Sequence, residues 1–349
     1  MGDLEVGMKV FTERGEPTTI TAVSEVQYGR KVYKVLFADG ESIKADADHL
    51  WNVEYITASR GPATLTTQEL VDFGPMRGGR KQFKIRKAEA LQYPEKELPI
   101  DPYLLGAWLG DGSSRAGSIY VDSKDRYLFD EYEYHETTNG LVFKGLYEKL
   151  KRANLILNKH IPEEYFTASF SQRLALAQGI FDTDGNASRD RGYCSVCFSD
   201  EVLIRDTERL LRTLGTVVSY TTSTATCKYK GKTVKTPKYV LKFTTELPMF
   251  RLDRKLRLQK RSGFRGTQFY RFIQDIIEID SEPVKCIKVD NPTQLFLAGE
   301  TLVPTHNSVA QLMAALQFVD IPGYSAILFR KTYADLSLPG ALISMSKDW

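Results

Sequence analysis

The chain has 349 residues, of which 42% are hydrophobic and 26% are charged, and its formal net charge is +3. This length allows two or three domains with cores of their own, while no apolar run approaches the ~20 residues that a membrane span requires. The sequence does not open with a charged stretch followed by an apolar one, so it does not predict export. Four cysteines in so long a chain exclude a disulfide framework and predict a reducing compartment.

Residues 1–95 are predicted to form β-structure, because apolar and polar residues alternate in runs such as KVYKVLFADGESIKADADHLWNV. Turn signals such as RGEP and ADGE separate these runs. The stretch QYPEKELPIDP then breaks the pattern with three prolines. These prolines predict a domain boundary near residue 95.

Two apolar helices are predicted next, PYLLGAWLGDG and SQRLALAQGIFDTDG, and each ends in Asp-Gly. A further helical candidate follows each of them, FKGLYEKLKRANL after the first and EVLIRDTERLLRTLG after the second. Residues 96–271 therefore contain a weak internal repeat. After this segment, short strands return up to residue 307, and a helix and a buried strand are predicted beyond it.

Small residues four apart on each Asp-Gly helix share one face and predict that the two backbones approach closely. These residues are Gly106, Gly110, Ala175, Gly179 and Thr183. Such packing would bring Asp111 and Asp184 together at the helix ends. Two carboxylates in one cleft repel each other unless a cation lies between them, and Mg²⁺ accepts carboxylate, water and phosphate oxygens. The alternative is two core helices that end in ordinary Asp-Gly turns.

A basic region runs from Lys228 to Arg271, where about fourteen Lys and Arg face only two acidic residues and are interleaved with Tyr and Phe. Basic, aromatic-containing hairpins suit a phosphate backbone, although a solvated basic surface would have the same composition. The nearby pair Cys194 and Cys197 has zinc-ligand spacing, but no second pair or nearby His completes a site. An ordinary strand is predicted there.

The motifs LLGAWLGDG and LAQGIFDTDG resemble the two motifs of LAGLIDADG (DOD-type) homing endonucleases, and NKHIPEEYFTASFSQRLALAQGIFDTDG resembles the intein-borne branch. The resemblance implies an α+β domain over residues 96–271, with two pseudo-symmetric halves, that cuts double-stranded DNA as a monomer with Mg²⁺. Asp111 and Asp184 would be its metal-binding aspartates. Lys159 would lie near the scissile phosphate, with Lys255 as a second basic residue.

The same resemblance implies strand hairpins in the DNA major groove. The residues assigned to DNA contact are Lys228, Lys230, Lys232, Lys235, Lys238, Lys242 and Lys255. The first copy departs from the family pattern, because the stretch after Asp111 is short and acidic, as in DEYEYHE.

His306, Asn307 and Ser308 stand side by side at a strand–helix junction. An asparagine amide can attack its own backbone carbonyl, which forms a succinimide and breaks the next peptide bond. A neighbouring imidazole can protonate the leaving amine, and Ser308 supplies a hydroxyl nucleophile directly after the break. The tripeptide is therefore a candidate site for self-cleavage and acyl transfer.

The stretches IKADADHLWNV and CIKVDNPTQLFLAGETLVPTHN resemble the histidine block and the two C-terminal blocks of inteins. The resemblance implies an all-β Hint-like splicing domain, split into residues 1–95 and 272–307. His49 would activate the upstream scissile amide, and Cys286 would tune the branched intermediate. His306 and Asn307 would drive cyclisation, and Ser308 would be the downstream nucleophile.

Three departures from inteins stand out. Asp46 replaces the usual threonine of the histidine block, and Gln294 stands where histidine is frequent. The first block, which begins with Cys or Ser, is missing. Met1 is therefore expected to be an internal methionine of a longer intein or the start of one part of a split intein.

Residues 308–349 resemble the early part of phage terminase large subunits, through YSAILFRKTYADLSLPGAL. The resemblance implies a short α/β fragment of a P-loop ATPase, with Ser308 as the hydroxyl residue of the phosphate loop. The Gly-rich half of that loop is missing, so ATP binding is not predicted. A phage or prophage gene expressed in the bacterial cytoplasm is expected.

Together these patterns predict a mixed fold, in which a discontinuous all-β splicing domain is interrupted by an α+β endonuclease and followed by an α/β fragment. The predicted function is site-specific DNA cleavage within a self-processing intein that excises at Asn307-Ser308. A degenerate element that only binds DNA, or only cleaves after Asn307, is the alternative.

Overall fold

The computed structural model describes residues 1–57, 61–138, 140–229, 232–264 and 266–306, and the elements below are those of these residues. The strands are β1 (Lys9–Phe11), β2 (Pro17–Val23), β3 (Val32–Phe37), β4 (Ser42–Asp46), β5 (Leu50–Tyr55), β6 (Pro62–Thr66), β7 (Met76–Arg77), β8 (Arg80–Lys81), β9 (Phe83–Arg86), β10 (Ser118–Ile119), β11 (Tyr134–Thr137), β12 (Gly140–Phe143), β13 (Asn186–Ala187), β14 (Cys194–Phe198), β15 (Ser219–Tyr229), β16 (Lys232–Phe243), β17 (Tyr270–Ile279), β18 (Ile287–Val289), β19 (Leu295–Ala298) and β20 (Val303–His306).

The helices are α1 (Thr67–Phe73), α2 (Pro102–Asp111), α3 (Leu146–Arg152), α4 (Glu163–Phe166), α5 (Phe170–Thr183), α6 (Glu201–Thr213) and α7 (Asp253–Leu256), with 3-10 turns at Ser123–Phe129 and Thr267–Phe269. No helix of the described residues is long and apolar enough to span a bilayer.

The chain divides into two units. The discontinuous unit combines Met1–Ala88 with the described residues from Phe269 onward, and the inserted unit is Glu89–Gln268. A β-rich unit that is interrupted by an α+β unit agrees with the predicted order of the chain. Residues 308–349, for which an α/β fragment is predicted, lie outside the described residues.

The unit boundaries differ from the predicted ones at 95/96 and 271/272, because hydrogen bonds and strand pairing cross those points. The backbone N–H of Leu91 donates to the carbonyl of Thr213 at 2.9 Å, which ties residues 89–95 to the inserted unit. Tyr270 and Arg271 already pair with β9 as the first residues of β17. Neither pairing is visible in the local sequence pattern.

The discontinuous unit is built from β-sheets to which both of its segments contribute. One sheet has the order β1-β2-β18, and a larger eight-stranded sheet runs β19-β20-β5-β9-β17-β3-β4, with β6 paired to β5. Its core includes Val35, Trp51, Phe83 and Ile273, all 1% exposed or less. Because β17 lies between β9 and β3, the sheet is complete only when the segments before and after the insertion pair.

One element of this unit, the short helix α1, was not predicted within the β-region. The hydroxyl of its N-cap residue Thr66 accepts from the backbone N–H of Glu69, and the Glu69 carboxylate accepts from the backbone N–H of Thr66. This reciprocal capping box starts a helix where the surrounding pattern favours strand. The spacing Thr-x-x-Glu was a signal for it in the sequence.

The inserted unit has two halves, each of which begins with an Asp-Gly helix that is followed by an antiparallel sheet and a second helix, although the place of the second helix among the strands differs. In the first half, α2 precedes the sheet β10-β12-β11 and α3; in the second, α5 precedes the sheet β13-β14-β16-β15, with α6 between β14 and β15. Both predicted Asp-Gly helices and both helices that follow them are present. One hydrophobic core spans the unit, and α2 packs against α5.

Glycines let the backbones of α2 and α5 touch, as predicted from the spacing of small residues. A Cβ atom added at Gly106 would lie 2.1 Å from the carbonyl oxygen of Leu176, and one added at Gly179 would lie 2.2 Å from that of Tyr103. At Gly110, the added atom would lie 2.0 Å from the Thr183 hydroxyl. The carboxyl ends of the two helices therefore lie side by side.

Substitution of Gly106 by alanine tests this contact. Alanine favours a helix over glycine by about 1 kcal/mol, but its methyl group would overlap the Leu176 carbonyl. Gly106→Ala is therefore expected to lower the free energy of unfolding by roughly 1–3 kcal/mol, the usual range for overpacking. Urea unfolding measures it, with Gly61→Ala as control because an atom added there meets nothing within 4 Å. A stabilised Gly106→Ala would contradict the contact.

Candidate functional site

The candidate site of the inserted unit lies at the carboxyl ends of α2 and α5. Asp111 is the last residue of α2, and Asp184 is the C-cap of α5. An atom added at Gly110 would lie 3.5 Å from the Oδ2 atom of Asp184, so this carboxylate lies against the end of α2. The structure brings the two predicted aspartates together.

Both carboxylates are held in a setting that disfavours their charge. Burial raises the pKa of Asp184 to about 6, and the negative charge of Asp111 adds to the shift. Burial likewise raises the pKa of Asp111. The positive charges of Lys159 and Lys255 oppose both shifts without cancelling them. The pair therefore gains stability from any added cation that both carboxylates can contact.

Each helix end is bound by the ammonium group of one lysine. Lys159 Nζ donates to the carbonyls of Leu109 at 3.0 Å, Gly110 at 3.1 Å and Gly112 at 2.8 Å. Lys255 Nζ donates to those of Phe181 at 3.0 Å, Asp182 at 2.7 Å, Thr183 at 3.2 Å and Gly185 at 2.7 Å. Cations are favoured at the carbonyl ends of helices, and the two halves use this arrangement in the same way.

The two lysines are half-buried beside the carboxylates. Burial lowers the pKa of Lys159 to about 8, while the charges of Asp184 and Asp111 oppose the shift. Burial lowers the pKa of Lys255 as well. Lys255 was predicted among the DNA-contacting residues, but its ammonium group binds the end of α5. The site is thus a cluster of two carboxylates and two ammonium groups.

The carboxylate pair can supply two ligand side chains to a divalent cation. Among the described residues, no group of three or more His, Cys, Asp or Glu side chains is arranged to hold a metal ion. A cation at this site would therefore complete its coordination with water and substrate oxygens. That donor set fits Mg²⁺, which usually takes one or two carboxylates and keeps several waters.

Asp182 supports this site and was not identified from the sequence. Its carboxylate accepts from the Tyr103 hydroxyl at 3.0 Å and from the backbone N–H groups of Arg251 and Leu252, both at 3.0 Å. These bonds fix the turn into α7, the short helix that carries Lys255. Because Leu109 occupies the equivalent place two residues before Asp111, the extra carboxylate of the second helix was the available signal.

The predicted basic hairpin is formed by β15 and β16, which pair along their whole length. Lys238 and Lys242 are exposed and share one register of β16, whereas Lys235 lies on the opposite register, with the buried Leu241. Lys228 and Lys232 lie at the strand ends near the turn, and Lys230 lies outside the described residues. Only part of the predicted set therefore shares one face.

The adjacent C-x-x-C pair lies on β14, as the strand prediction required. Cys194 is buried and Cys197 is exposed, so the two thiols point to opposite faces of the sheet. Burial raises the pKa of the Cys194 thiol to about 12.

A second cluster of titratable groups lies in the discontinuous unit. His49 Nε2 hydrogen-bonds with the hydroxyl of Thr305, which is 1% exposed, and the imidazole lies edge-on to Trp51 with ring centroids 5.0 Å apart. His306 follows Thr305 on β20 and pairs with Leu50 of β5. Strand pairing thus brings the two predicted histidines together.

The electrostatics of this cluster keep His49 neutral. Burial lowers the pKa of His49 to about 4, and the charge of His306 acts in the same direction. A neutral imidazole can exchange a proton with the hydroxyl that it contacts. Thr305 was not identified as a candidate, although it stands in the same Thr-His-Asn run of the sequence.

Cys286 is half-buried near Asp46. Its backbone N–H donates to the Ser24 hydroxyl at 2.9 Å, and burial raises the pKa of its thiol to about 11, with the Asp46 charge adding to the shift. Asp46 forms an ion pair of 3.3 Å with Arg30, which also contacts Asp48. Arg30 was not identified from the sequence, because its partners lie sixteen and eighteen residues away. Asn307 and Ser308 lie outside the described residues.

Comparison with known proteins finds similar chains but no matching family model. The replicative DNA helicase DnaB of Mycobacterium intracellulare is 34% identical over 333 residues, which cover 89% of this chain and 56% of that protein. DnaB of Mycobacterium leprae (strain TN) is 42% identical over 55 residues, which cover 16% and 9%. The chain therefore spans about half the length of the first relative and about a tenth of the second.

Solved structures superpose on the chain only with low TM-scores. The Msm DnaB1 intein splicing domain bound with zinc is 16% identical, covers 88% of each chain and has a TM-score of 0.28. The homing endonuclease I-DmoI in complex with DNA and Mn is 15% identical, covers 42% of this chain and 89% of its own, and has a TM-score of 0.25. TM-scores this low support no functional argument.

The predicted terminase host receives no support from these matches, because the two relatives described above are replicative DNA helicases. The prediction depended on residues 308–349, which lie outside the described residues.

The raised pKa of Asp184 makes a prediction about stability. Since its folded pKa of about 6 exceeds the ordinary value of 3.8, ionisation at neutral pH is unfavourable in the folded chain relative to the unfolded one. Asp184→Asn should therefore raise the melting temperature at pH 7.5 in EDTA by roughly 2–4 °C, which corresponds to about 1 kcal/mol in a unit of this size once the shift is discounted for solvent screening at this exposed side chain. The gain should shrink as pH falls from 6 to 4, where the carboxyl is protonated.

Asp190→Asn is the matched control, because Asp190 is exposed like Asp184 but lies between β13 and β14, outside the carboxylate pair. Circular dichroism melts of the wild type and both variants at pH 7.5 and pH 4 give the comparison. If Asp184→Asn melts no higher than the control at pH 7.5, the carboxylate is not held in the unfavourable setting described above.

Proposed function

We propose that the inserted unit is a Mg²⁺-dependent endonuclease that hydrolyses double-stranded DNA. The observation that carries the proposal is the pair of solvent-exposed carboxylates, Asp111 and Asp184, at the touching ends of two helices. Their raised pKa values mean that the site favours an added cation. Because one chain supplies both carboxylates, the proposed enzyme acts as a monomer.

A bound Mg²⁺ would activate water and stabilise the leaving oxygen of a phosphodiester. Asp111 and Asp184 would hold the ion, with waters and phosphate oxygens as its other ligands. Two carboxylates without a third ligand side chain suit a metal that must also bind substrate oxygens. The resemblance of both helices to LAGLIDADG motifs supports the same assignment.

Lys159 and Lys255 have two roles in this proposal. Their hydrogen bonds hold the carbonyl ends of α2 and α5, which orients the carboxylates that follow. Their charges also offset the repulsion between the carboxylates and make the site attractive to a phosphate. Lys159, with a pKa lowered to about 8, remains mostly charged at neutral pH and can stabilise charge on the scissile phosphate.

Substitution of the carboxylates tests the enzyme assignment. Full-length protein is incubated with duplexes that contain a randomised 40-base-pair segment, and new ends are identified by sequencing. Wild type with Mg²⁺ is expected to create a recurrent double-strand cut, which EDTA abolishes. Asp111→Asn and Asp184→Asn should each lower the rate at least about 100-fold, since each removes a metal ligand.

Asp190→Asn again serves as the control and should cut like the wild type. Cutting by the double variant Asp111→Asn/Asp184→Asn at more than a trace of the wild-type rate would contradict the assignment. Binding to DNA without cutting by the wild type would favour the decayed element that only binds DNA.

The discontinuous unit is proposed to be a self-processing domain of the intein type. The hydrogen bond between His49 and Thr305, next to His306, favours this second function, because it brings two imidazoles together directly before Asn307 in the sequence. In the proposed step, the side-chain amide nitrogen of Asn307 attacks the backbone carbonyl carbon of Asn307, and the bond to Ser308 breaks. The attacking nitrogen gives up one proton, the departing nitrogen of Ser308 takes one up, and His306 is the proposed carrier between them.

The remaining intein assignments are proposals from the sequence resemblance. His49 would activate the upstream amide, Cys286 would act on the branched intermediate, and Ser308 would be the downstream nucleophile. The high pKa of the Cys286 thiol, about 11, supports a role as a neutral proton donor rather than as a thiolate.

Cleavage after Asn307 is measured by mass spectrometry of the purified chain at pH 7.5 over several days. The wild type is expected to release a fragment that begins at Ser308, and Asn307→Ala should abolish the release. Asn52→Ala, at an exposed position of β5, should behave like the wild type. A wild-type chain that stays intact would contradict self-processing in this chain, and cleavage by Asn307→Ala would contradict the mechanism.

A further inference from the structure

The two sheets of the inserted unit differ completely in charge. The second sheet, β13 to β16, contains five lysines and no Asp or Glu in its strand sequences. The first sheet, β10 to β12, contains no Lys or Arg and has one carboxylate, Glu136. A polyanion such as DNA is attracted to the second sheet and gains nothing from the first.

The two sheets also differ in reach. Strands β15 and β16 have 11 and 12 residues, whereas β11 and β12 have four each. At about 3.3 Å per residue, the longer hairpin extends roughly 36 Å and the shorter one roughly 13 Å. Measured along a duplex, the longer hairpin can follow about ten base pairs and the shorter one about four.

The second sheet presents one polar face. On β14 and β16, Val196 and Leu241 are buried on the side that α6 covers. The opposite register of the sheet carries hydroxyls and lysines that are exposed or half-buried. These residues are Ser195, Ser219, Thr221, Ser223, Thr236, Lys238 and Lys242, and Cys197, Ala225 and Val240 lie among them on the same register. Lysines suit phosphates, and hydroxyls suit base edges or phosphates.

The corresponding register of the first sheet has fewer polar side chains that could contact DNA, and it has no lysine. It consists of Ser118, His135, Thr137, Gly140 and Val142; Ser118 is buried, and the exposed polar side chains are His135 and Thr137. The cations that flank β11 and β12 are already paired, Arg126 with Glu136 at 2.6 Å and Lys144 with Glu133 at 2.5 Å. Their charge is therefore offset by carboxylates of the same half.

We infer that this protein recognises its DNA target from one side. The second sheet would supply most of the affinity and sequence discrimination, while the first half would supply mainly Asp111 and Lys159 to the reaction. The inference rests on the proposed endonuclease function but goes beyond it, because a cutting enzyme of this design could equally read both half-sites. The partner is one double-stranded DNA site with unequal halves.

The experiment selects bound and cut duplexes from the randomised 40-base-pair pool with the full-length protein. Base preferences are then compared on the two sides of the recurrent cut. One side is expected to hold most of the constrained positions, with about 5- to 100-fold loss of binding per substituted base pair there. Fewer than threefold losses are expected on the other side.

Two variants assign the recognised side to the second sheet. Lys238→Ala/Lys242→Ala should weaken binding to the selected duplex about 10- to 100-fold at 0.1 M salt and lower the slope of log affinity against log salt by about 2. His135→Ala, at an exposed position of the first sheet, is the matched control and should change affinity less than about twofold. Unchanged melting curves verify that both variants are folded.

The outcomes separate this inference from the proposed function. Cutting with equally constrained half-sites, or an equal effect of the His135 variant, overturns one-sided recognition and leaves the endonuclease intact. One-sided binding without cutting supports the recognition and overturns the enzyme. Absence of any selected duplex overturns both.

Discussion

The close contact between α2 and α5 is the constraint on which the inserted unit depends. Gly106 and Gly179 remove the side-chain atoms that would otherwise keep the helices apart. Because the helices touch along their length, both end at the same place, and the carboxylates that follow must share it. The lysine bound to each helix end and the turn held by Asp182 are arranged around this shared point.

The proximity of the two carboxylates destabilises the folded chain when no cation is bound. Two carboxylates lie together at the helix ends, and partial desolvation there raises their pKa values. His49 in the discontinuous unit shows the opposite shift for the same reason, since burial there disfavours the charged imidazole. Both clusters hold groups in states that suit chemistry better than stability, a common feature of functional sites.

The sequence predicted those features that depend on local pattern and spacing. The β-rich start, the two Asp-Gly helices, their close packing and the pairing of Asp111 with Asp184 all follow from periodicity and small-residue spacing. Features set by distant pairing were missed, as with Arg30, Thr305 and Asp182, whose partners lie far away in the sequence. The second unit boundary differs from the predicted one for the same reason, because the first residues of β17, which lie before residue 272, already pair with β9. The resemblance to terminases, drawn from residues 308–349, receives no support from the curated relatives.

If Asp111 and Asp184 form one cation site, Mg²⁺ binding must displace the proton that the pair holds near pH 6. Isothermal titration calorimetry of the full chain with Mg²⁺, at pH 6 in two buffers of different ionisation enthalpy, gives the number of protons released on binding. Because the pKa of Asp184 is about 6 without metal, binding should release close to half a proton, and Asp184→Asn should remove that release and weaken binding at least tenfold. Mg²⁺ binding that releases no protons, or that has the same affinity in Asp184→Asn, would contradict a cation site shared by the two carboxylates.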